Sequence, residues 1–292
     1  MENVRPRLLC IAPLLLLASL ARLGALDGDT VSVDVDWATH ELRVTVERAV
    51  SAIGAQGPAA ISETQRSIRR DAPELIVDAL ADLPFDSYHT VESLVTEQEA
   101  LIGGLERAAR SARAVEATSS PDLQSARVTF VVDLYADLAS RLVDRDRAAR
   151  IDPILGWVAT TEYTGIIVYA ADDLPVFGTG TIARLEPALF PGIYYLRTPQ
   201  ELLYRLVESE HIEPDVLATR GPAAYTDDVQ ATGLADRIGS NPLRILAIGS
   251  FGRRPSDIVI SEQDATKILG SSHNASLLAQ GRVVIVVHPD RL

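Results

Sequence analysis

The residues of this chain best suited to hold a charged ligand lie in one short run, Gly249-Ser250-Phe251-Gly252-Arg253-Arg254. Two glycines let backbone N–H groups converge, and two adjacent arginines supply fork-shaped donors that fit carboxylate or phosphate oxygens. The run follows an apolar segment, Leu243 to Ile248, that reads as a strand. Gly249, Gly252, Arg253 and Arg254 are therefore a candidate anion-binding loop, weighed against an ordinary surface turn.

Other chemistry-bearing residues form weaker patterns. Asp34 with Asp36, and the pairs Asp172-Asp173 and Asp227-Asp228, carry the carboxylates needed for cation ligation or acid/base work. Neighbours on a strand point to opposite faces, however, and i, i+2 acids on a polar face are ordinary solvated groups. None has the spacing of a calcium loop. His40, His89, His211, His273 and His288 are scattered, with no HExxH pairing. His89, within Ser87-Tyr88-His89-Thr90, stands among hydroxyls, but a packed structural histidine is the simpler account. No Gly-x-Ser-x-Gly elbow, Ser-x-x-Lys or Walker loop occurs. Asn274-Ala275-Ser276 is a chance match to a glycosylation sequon. The sequence thus assigns no catalytic residue, no metal site and no cofactor.

The amino terminus gives an address. Arg5 and Arg7 precede an apolar run from Leu8 to Leu17, and Ser19/Ala21 or Leu23/Ala25 fit the small-residue positions of a cleavage site. The run is too short for a spanning helix, so residues 1–25 read as a cleaved secretory signal. The sole cysteine, Cys10, sits ahead of the apolar core of that signal, with Arg7, Leu8 and Leu9 where a lipobox has small residues. The mature chain then has no disulfide, thiol nucleophile, cysteine metal site or lipid anchor. The full chain carries a formal charge of −13. A signal ending at Ala25 takes away Arg5, Arg7 and Arg22 against Glu2, so the mature chain is more acidic still. Such a field repels nucleic acid and anionic lipid. Nothing after the signal approaches membrane length, so no transmembrane anchor is expected.

The elements that must position the candidate residues can be read from periodicity. Val31, Val33 and Val35 alternate with polar residues, as do Leu42, Val44 and Val46, and together they predict a β-hairpin. Ser62 and Gln65 have capping-box spacing before a helical pattern through Leu80, with Pro73 as a potential kink and Pro84 as the stop. Asp86 to Val95 alternates and predicts a strand. Thr96 and Glu99 suggest a second cap, ahead of a helix with Leu101, Ile102, Leu105, Ala109 and Ala112 on one face. Arg127 to Tyr135 predicts another strand. The expected first domain, residues 26–145, is a ββαβαβ α+β sandwich. A charged segment, Arg141 to Arg150, and Pro153 mark the seam before a strand-rich second domain over 151–292. There Tyr163 to Ala170, Ile193 to Leu196, Leu243 to Ile248, Asp257 to Ile260 and Arg282 to Val287 predict strands. Thr198 and Pro199 suggest a helix to Glu210, and Ser261, Asp264 and Gly270 bound a short one. Leu185, Leu189, Phe190, Ile193, Tyr194 and Tyr195 form either a docking surface or, as favoured here, the core of the second domain.

Several blocks of the second half carry a likeness. Tyr163-Thr164-Gly165-Ile166-Ile167-Val168, Pro187-Ala188-Leu189-Phe190-Pro191-Gly192-Ile193-Tyr194, Asn241-Pro242-Leu243, Ser256-Asp257-Ile258-Val259-Ile260-Ser261 and Arg282-Val283-Val284-Ile285-Val286-Val287 resemble a family of poorly characterised exported α+β proteins of flagellated diderm bacteria. The first half is similar to small envelope lipoproteins of the LPP type and to the N-terminal domain of flagellar assembly protein T. The resemblance implies a periplasmic or outer-envelope protein with a structural or assembly role. It also places Gly249 to Arg254 at a strand-to-strand connection, without the helix N-terminus that a phosphate loop uses. Two features depart from the pattern. Many relatives are lipoproteins, and Tyr169-Ala170-Ala171-Asp172 stands where they turn through an Asp-Ala-Arg-Gly type segment.

The expectation is therefore a non-enzymatic periplasmic protein that binds envelope or flagellar proteins, or further copies of itself. A soluble carrier holding a small ligand between its two domains is the alternative.

Overall fold

The structure, a computed structural model, describes residues 24–26, 29–51, 57–143, 147–152, 160–197 and 202–292. The body of the expected signal, the Thr198–Pro199 helix start and Pro153 lie outside them.

The chain is α+β throughout. Its first domain contains β1 (Gly24–Leu26), β2 (Asp29–Asp36), β3 (Glu41–Ala49), α1 (Pro58–Ala81), α2 (Val91–Glu97), α3 (Ile102–Arg110), β4 (Arg113–Ser119) and β5 (Ser125–Asp133). A π-helical turn, Leu134–Ala139, then runs into α4 (Ser140–Leu142). The strands make one antiparallel sheet in the order β1-β2-β3-β5-β4. The expected hairpin is present, pairing Val31 with Val46, Val33 with Val44 and Val35 with Leu42. Leu42, Val44, Val46, Ala126, Val128, Phe130 and Val132 share the buried face, into which α1 sets Ile68, Ala72, Ile76 and Leu80.

Three local expectations are corrected. Helix α1 begins at Pro58, not at Ser62, because proline is preorganised for the first helical turn and needs no N–H partner there. The Ser62 hydroxyl instead donates back to the Pro58 carbonyl at 3.1 Å, and Pro73 is carried inside the helix. The alternating segment Asp86 to Val95 is not a strand. Asp86 Oδ1 accepts the N–H groups of Tyr88 and His89 at 2.8 and 2.7 Å, bending the chain sharply. Thr90 then caps α2, accepting from Ser93 N–H while Ser93 Oγ accepts from Thr90 N–H. These side-chain hydrogen bonds outweigh the weak alternation. The capping box is thus at Thr90–Ser93, not at Thr96–Glu99. Strand β4, exposed at all seven positions, has no buried face to give it a period.

The second domain holds two sheets. Strands β6 (Ile166–Tyr169), β7 (Leu174–Val176), β8 (Thr181–Ala183), β9 (Ile193–Arg197) and β10 (Leu202–Val207) lead to α5 (Pro214–Thr219), β11 (Ala224–Thr226) and α6 (Ala235–Ile238). Then follow β12 (Leu243–Leu246), β13 (Gly249–Phe251), β14 (Asp257–Ser261), α7 (Glu262–Leu269), α8 (Ser272–Ala279) and β15 (Val283–Val286). A four-stranded parallel sheet runs β11-β15-β6-β12, and a mixed six-stranded sheet runs β10-β9-β14-β13-β7-β8. The unbroken apolar runs of β6 and β15 follow from burial on both faces. Ser261 caps α7 as expected, accepting from Asp264 N–H.

The expected helix from Pro199 to Glu210 is overturned where it can be seen, since Leu202–Val207 pairs antiparallel with β9. Helical spacing of leucines loses to a cross-strand partner, with the Tyr204 and Tyr195 rings stacked at 5.4 Å and Arg197 over Tyr204. Leu185, Leu189, Phe190 and Ile193 are buried, so that stretch is core.

One hydrophobic core continues across both domains. Trp37 meets Tyr225 edge-on at 5.8 Å, Phe85 packs on Phe190 at 4.7 Å, and Tyr135 donates its hydroxyl to the Leu189 carbonyl at 3.2 Å. Gly221, at φ +69°, lies so close to the Tyr135 ring that a Cβ would stand 2.4 Å from its carbons. Gly221→Ala combines left-handed strain with overpacking and is expected to cost about 2 kcal/mol. Urea unfolding measures this, and an unchanged midpoint would refute the close approach.

Candidate functional site

The seam between the domains is built from two turns. On the first domain, Pro84 to Thr90 forms the Asp86-bent loop, pinned by Phe85 N–H donating to His89 O at 2.9 Å. On the second, the β13–β14 hairpin turns through Gly252 to Ser256. Arg254 N–H donates to Ser87 O at 3.0 Å, and alongside, Leu189 and Phe190 N–H donate to Pro84 and Phe85 carbonyls at 3.0 and 2.8 Å.

Asp257 sits at the centre of this seam and is only 4% exposed. Its Oδ2 accepts the Ser87 hydroxyl at 2.6 Å, from the first domain, and its Oδ1 accepts Gly192 N–H at 2.8 Å, from the second. Burial pushes its pKa up to about 6, against those two hydrogen bonds, which favour the charged form. His40, half-buried, is held in a left-handed turn with its ring edge-on to Tyr135 at 4.8 Å. Its Nε2 has no partner among the described residues. Burial, followed by the positive charge of Arg237, brings its pKa down to about 4. Arg237 is itself buried and donates to the carbonyls of Gly281, at 2.8 Å, Gly221 and Arg220. Desolvation lowers its pKa to about 10.

The candidate anion loop is found at this seam, but its glycines do other work. Gly249 lies in β13 against the Phe177 ring and Pro175 O, and Gly252, at φ +107°, faces Ser87 so closely that no Cβ fits. Gly249 permits close packing within the second domain and Gly252 close approach of the two domains, instead of forming a cradle of N–H groups, and the Arg254 N–H is already given to Ser87. The side chains of Arg253 and Arg254 are both exposed, neither has a carboxylate partner among the described residues, and with Tyr88, Thr90 and Ser93 they line an open cleft of about 340 Å³.

The other candidates are not brought together. Asp36 accepts the N–H groups of Ala38 and Thr39 at the hairpin turn, and Asp34 is exposed on β2. Asp173 pairs with Arg184 at 3.3 Å, and Asp228 accepts from Gln230 and Thr232 N–H. His89 is held by Asp86 at 3.0 Å, His211 Nδ1 accepts Glu208 N–H, His273 faces Tyr163 O, and His288 stands by Arg184. No cluster of three potential metal ligands occurs among the described residues. Asn274 is buried, tying Tyr163 N–H and the Thr161 and Lys267 carbonyls.

Sequence reasoning missed Asp257, Ser87 and Tyr88. The signal was present for Asp257, a lone charge at the head of the apolar strand Ile258-Val259-Ile260. Ser87 and Tyr88 became legible only once the segment around them proved to be a turn.

Fold and seam define a class: two dissimilar α+β domains joined through a continuous core and a polar interdomain contact. Residues 30–141 match the family model described as Treponema pallidum Tp0624, N-terminal domain, and residues 165–289 match that described as Treponema pallidum Tp0624, second domain. The chain is thus similar to Tp0624 over two successive domains. No curated protein matches the chain. Among the described residues no helix is long and apolar enough to cross a membrane.

Proposed function

We propose that this chain is an exported, non-enzymatic envelope protein with a structural, assembly or protein-binding role. The observation that carries the reading is the core running unbroken from one domain to the other, which fixes their relative placement. A rigid pair of domains suits a spacer or scaffold, whereas a hinge-type enzyme needs a seam that opens. Exposed sheet edges offer docking sites for an added strand. Val115 on edge strand β4 is 54% exposed, Ile182 on β8 71% and Leu246 on β12 63%. Association with flagellar components is the finer part of the proposal and rests on the short sequence blocks alone.

The carrier alternative gains little from the apolar hollow lined by Pro191, Ile193, Leu278 and Ile285. It has room of about 10 Å³, no more than one water.

Export has a direct test. Cutting after Ala21 leaves β1 whole, whereas cutting after Ala25 removes Gly24 and Ala25 from it. Expressed in a flagellated diderm host, the chain is expected in the osmotic-shock fraction with Arg22 or Leu26 as its first residue. A photo-crosslinker placed at position 115 is expected to trap an envelope protein or a second copy. Retention in the cytosol with an intact Met1 end would overturn the address, and absence of any cross-link would overturn the docking role.

A further inference from the structure

The interdomain cleft has a chemistry that scaffolding does not use. We propose that it is a binding site for a small oxyanion-bearing ligand, with Arg253 and Arg254 as the charged donors and Tyr88, Thr90 and Ser93 as the hydroxyl wall. This goes beyond the structural role and stands or falls separately from it.

The chain carries −13 overall, so two adjacent arginines without a carboxylate partner among the described residues stand out against their surroundings. The acids whose charge acts on Tyr88 in the same cleft are already engaged. Asp86 accepts two backbone N–H groups and the His89 ring, Glu208 holds Arg205 at 2.5 Å and the Tyr194 hydroxyl at 2.7 Å, and Asp257 holds Ser87 and Gly192. The cleft therefore keeps two guanidinium groups free to bind, and guanidinium forks recognise the paired oxygens of phosphate and carboxylate.

The walls are preorganised. Thr90 and Ser93 are fixed by their reciprocal capping hydrogen bonds, and the Tyr88 ring leans edge-on against Phe251 at 6.2 Å. The Tyr88 hydroxyl has no partner among the described residues, leaving a donor for the ligand. Since hydroxyls come from one domain and arginines from the other, the site exists only when the two are docked. A volume of about 340 Å³ exceeds a bare phosphate and fits an anion carrying a small organic group.

Calorimetric titration of the full chain with inorganic phosphate, and separately with succinate, tests the site and distinguishes the two oxyanion sources. Saturable one-site binding of either probe is expected, weakened about tenfold or more in the Arg253→Gln/Arg254→Gln double variant. Both positions are exposed, so the variant should melt with the parent. Arg66→Gln, which removes an exposed arginine elsewhere, should leave binding unchanged. Binding of phosphate alone or succinate alone assigns the oxyanion. No saturable binding of either probe, equal binding by the double variant, or equal loss in Arg66→Gln would overturn the proposal.

Discussion

Tyr135→Ala should lower the free energy of unfolding by about 4 kcal/mol, among the largest effects any single truncation in this chain can have. The side chain is 1% exposed and stands where the domains meet. Its ring is edge-on to His40 and fills the space left by Gly221, while its hydroxyl reaches Leu189 O in the second domain. Removing the ring leaves a cavity walled by rigid backbone at Gly221, which cannot collapse to fill it. Tyr135→Phe isolates the hydroxyl and should cost about 1 kcal/mol. Urea unfolding followed by far-UV circular dichroism reads both. A loss below about 1 kcal/mol for Tyr135→Ala would mean that the ring does not join the domains as described.

Stability should also depend on pH through two desolvated groups of opposite sign. The pKa of Asp257 rises on folding from 3.8 to about 6, so between those values the folded chain binds the extra proton. Its contribution is largest below the lower value and declines as pH rises to 6, by up to about 3 kcal/mol. For His40 the pKa falls on folding from 6.5 to about 4. The unfolded chain then binds the proton first, and stability is lost as pH falls through that window. Across pH 4 to 6 the two slopes oppose each other. Asp257→Asn keeps groups able to meet Gly192 N–H and the Ser87 hydroxyl but carries no charge. It should lie closest to the parent at pH 4.5 and exceed it most at pH 7.5, leaving the His40 slope exposed. His40→Asn, which tolerates the left-handed turn, should remove the opposite slope. Urea midpoints at pH 4.5, 5.5 and 7.5 give the difference curves. Parallel curves for parent and Asp257→Asn would show that the carboxyl is not buried at the seam.

How much was legible depends on how local the cause is. The β2–β3 hairpin, the core strands β6, β14 and β15, and the Ser261 cap of α7 all follow from alternation, continuous apolar runs or a single side-chain hydrogen bond. The segment Asp86 to Val95 failed because its faint alternation hid an Asp turn and a Thr90 cap, both written in the same residues. Strand β10 failed for a different reason. Its leucine spacing allows a helix, and the choice was made by β9, whose position in space no local rule supplies.

The same division runs through the candidate site. From the sequence alone came the α+β class, the acidity, and the two arginines after a strand as a candidate anion loop. Only the tertiary structure decided what surrounds them. It turned the glycines into close-contact points, set the hydroxyls of residues 88, 90 and 93 opposite the arginines, and buried Asp257 between Ser87 and Gly192. The reason is physical: charge and hydrogen-bonding capacity belong to each side chain wherever it stands. Desolvation, room for a Cβ and the convergence of donors depend on groups more than a hundred residues apart, and those meet only when the core closes.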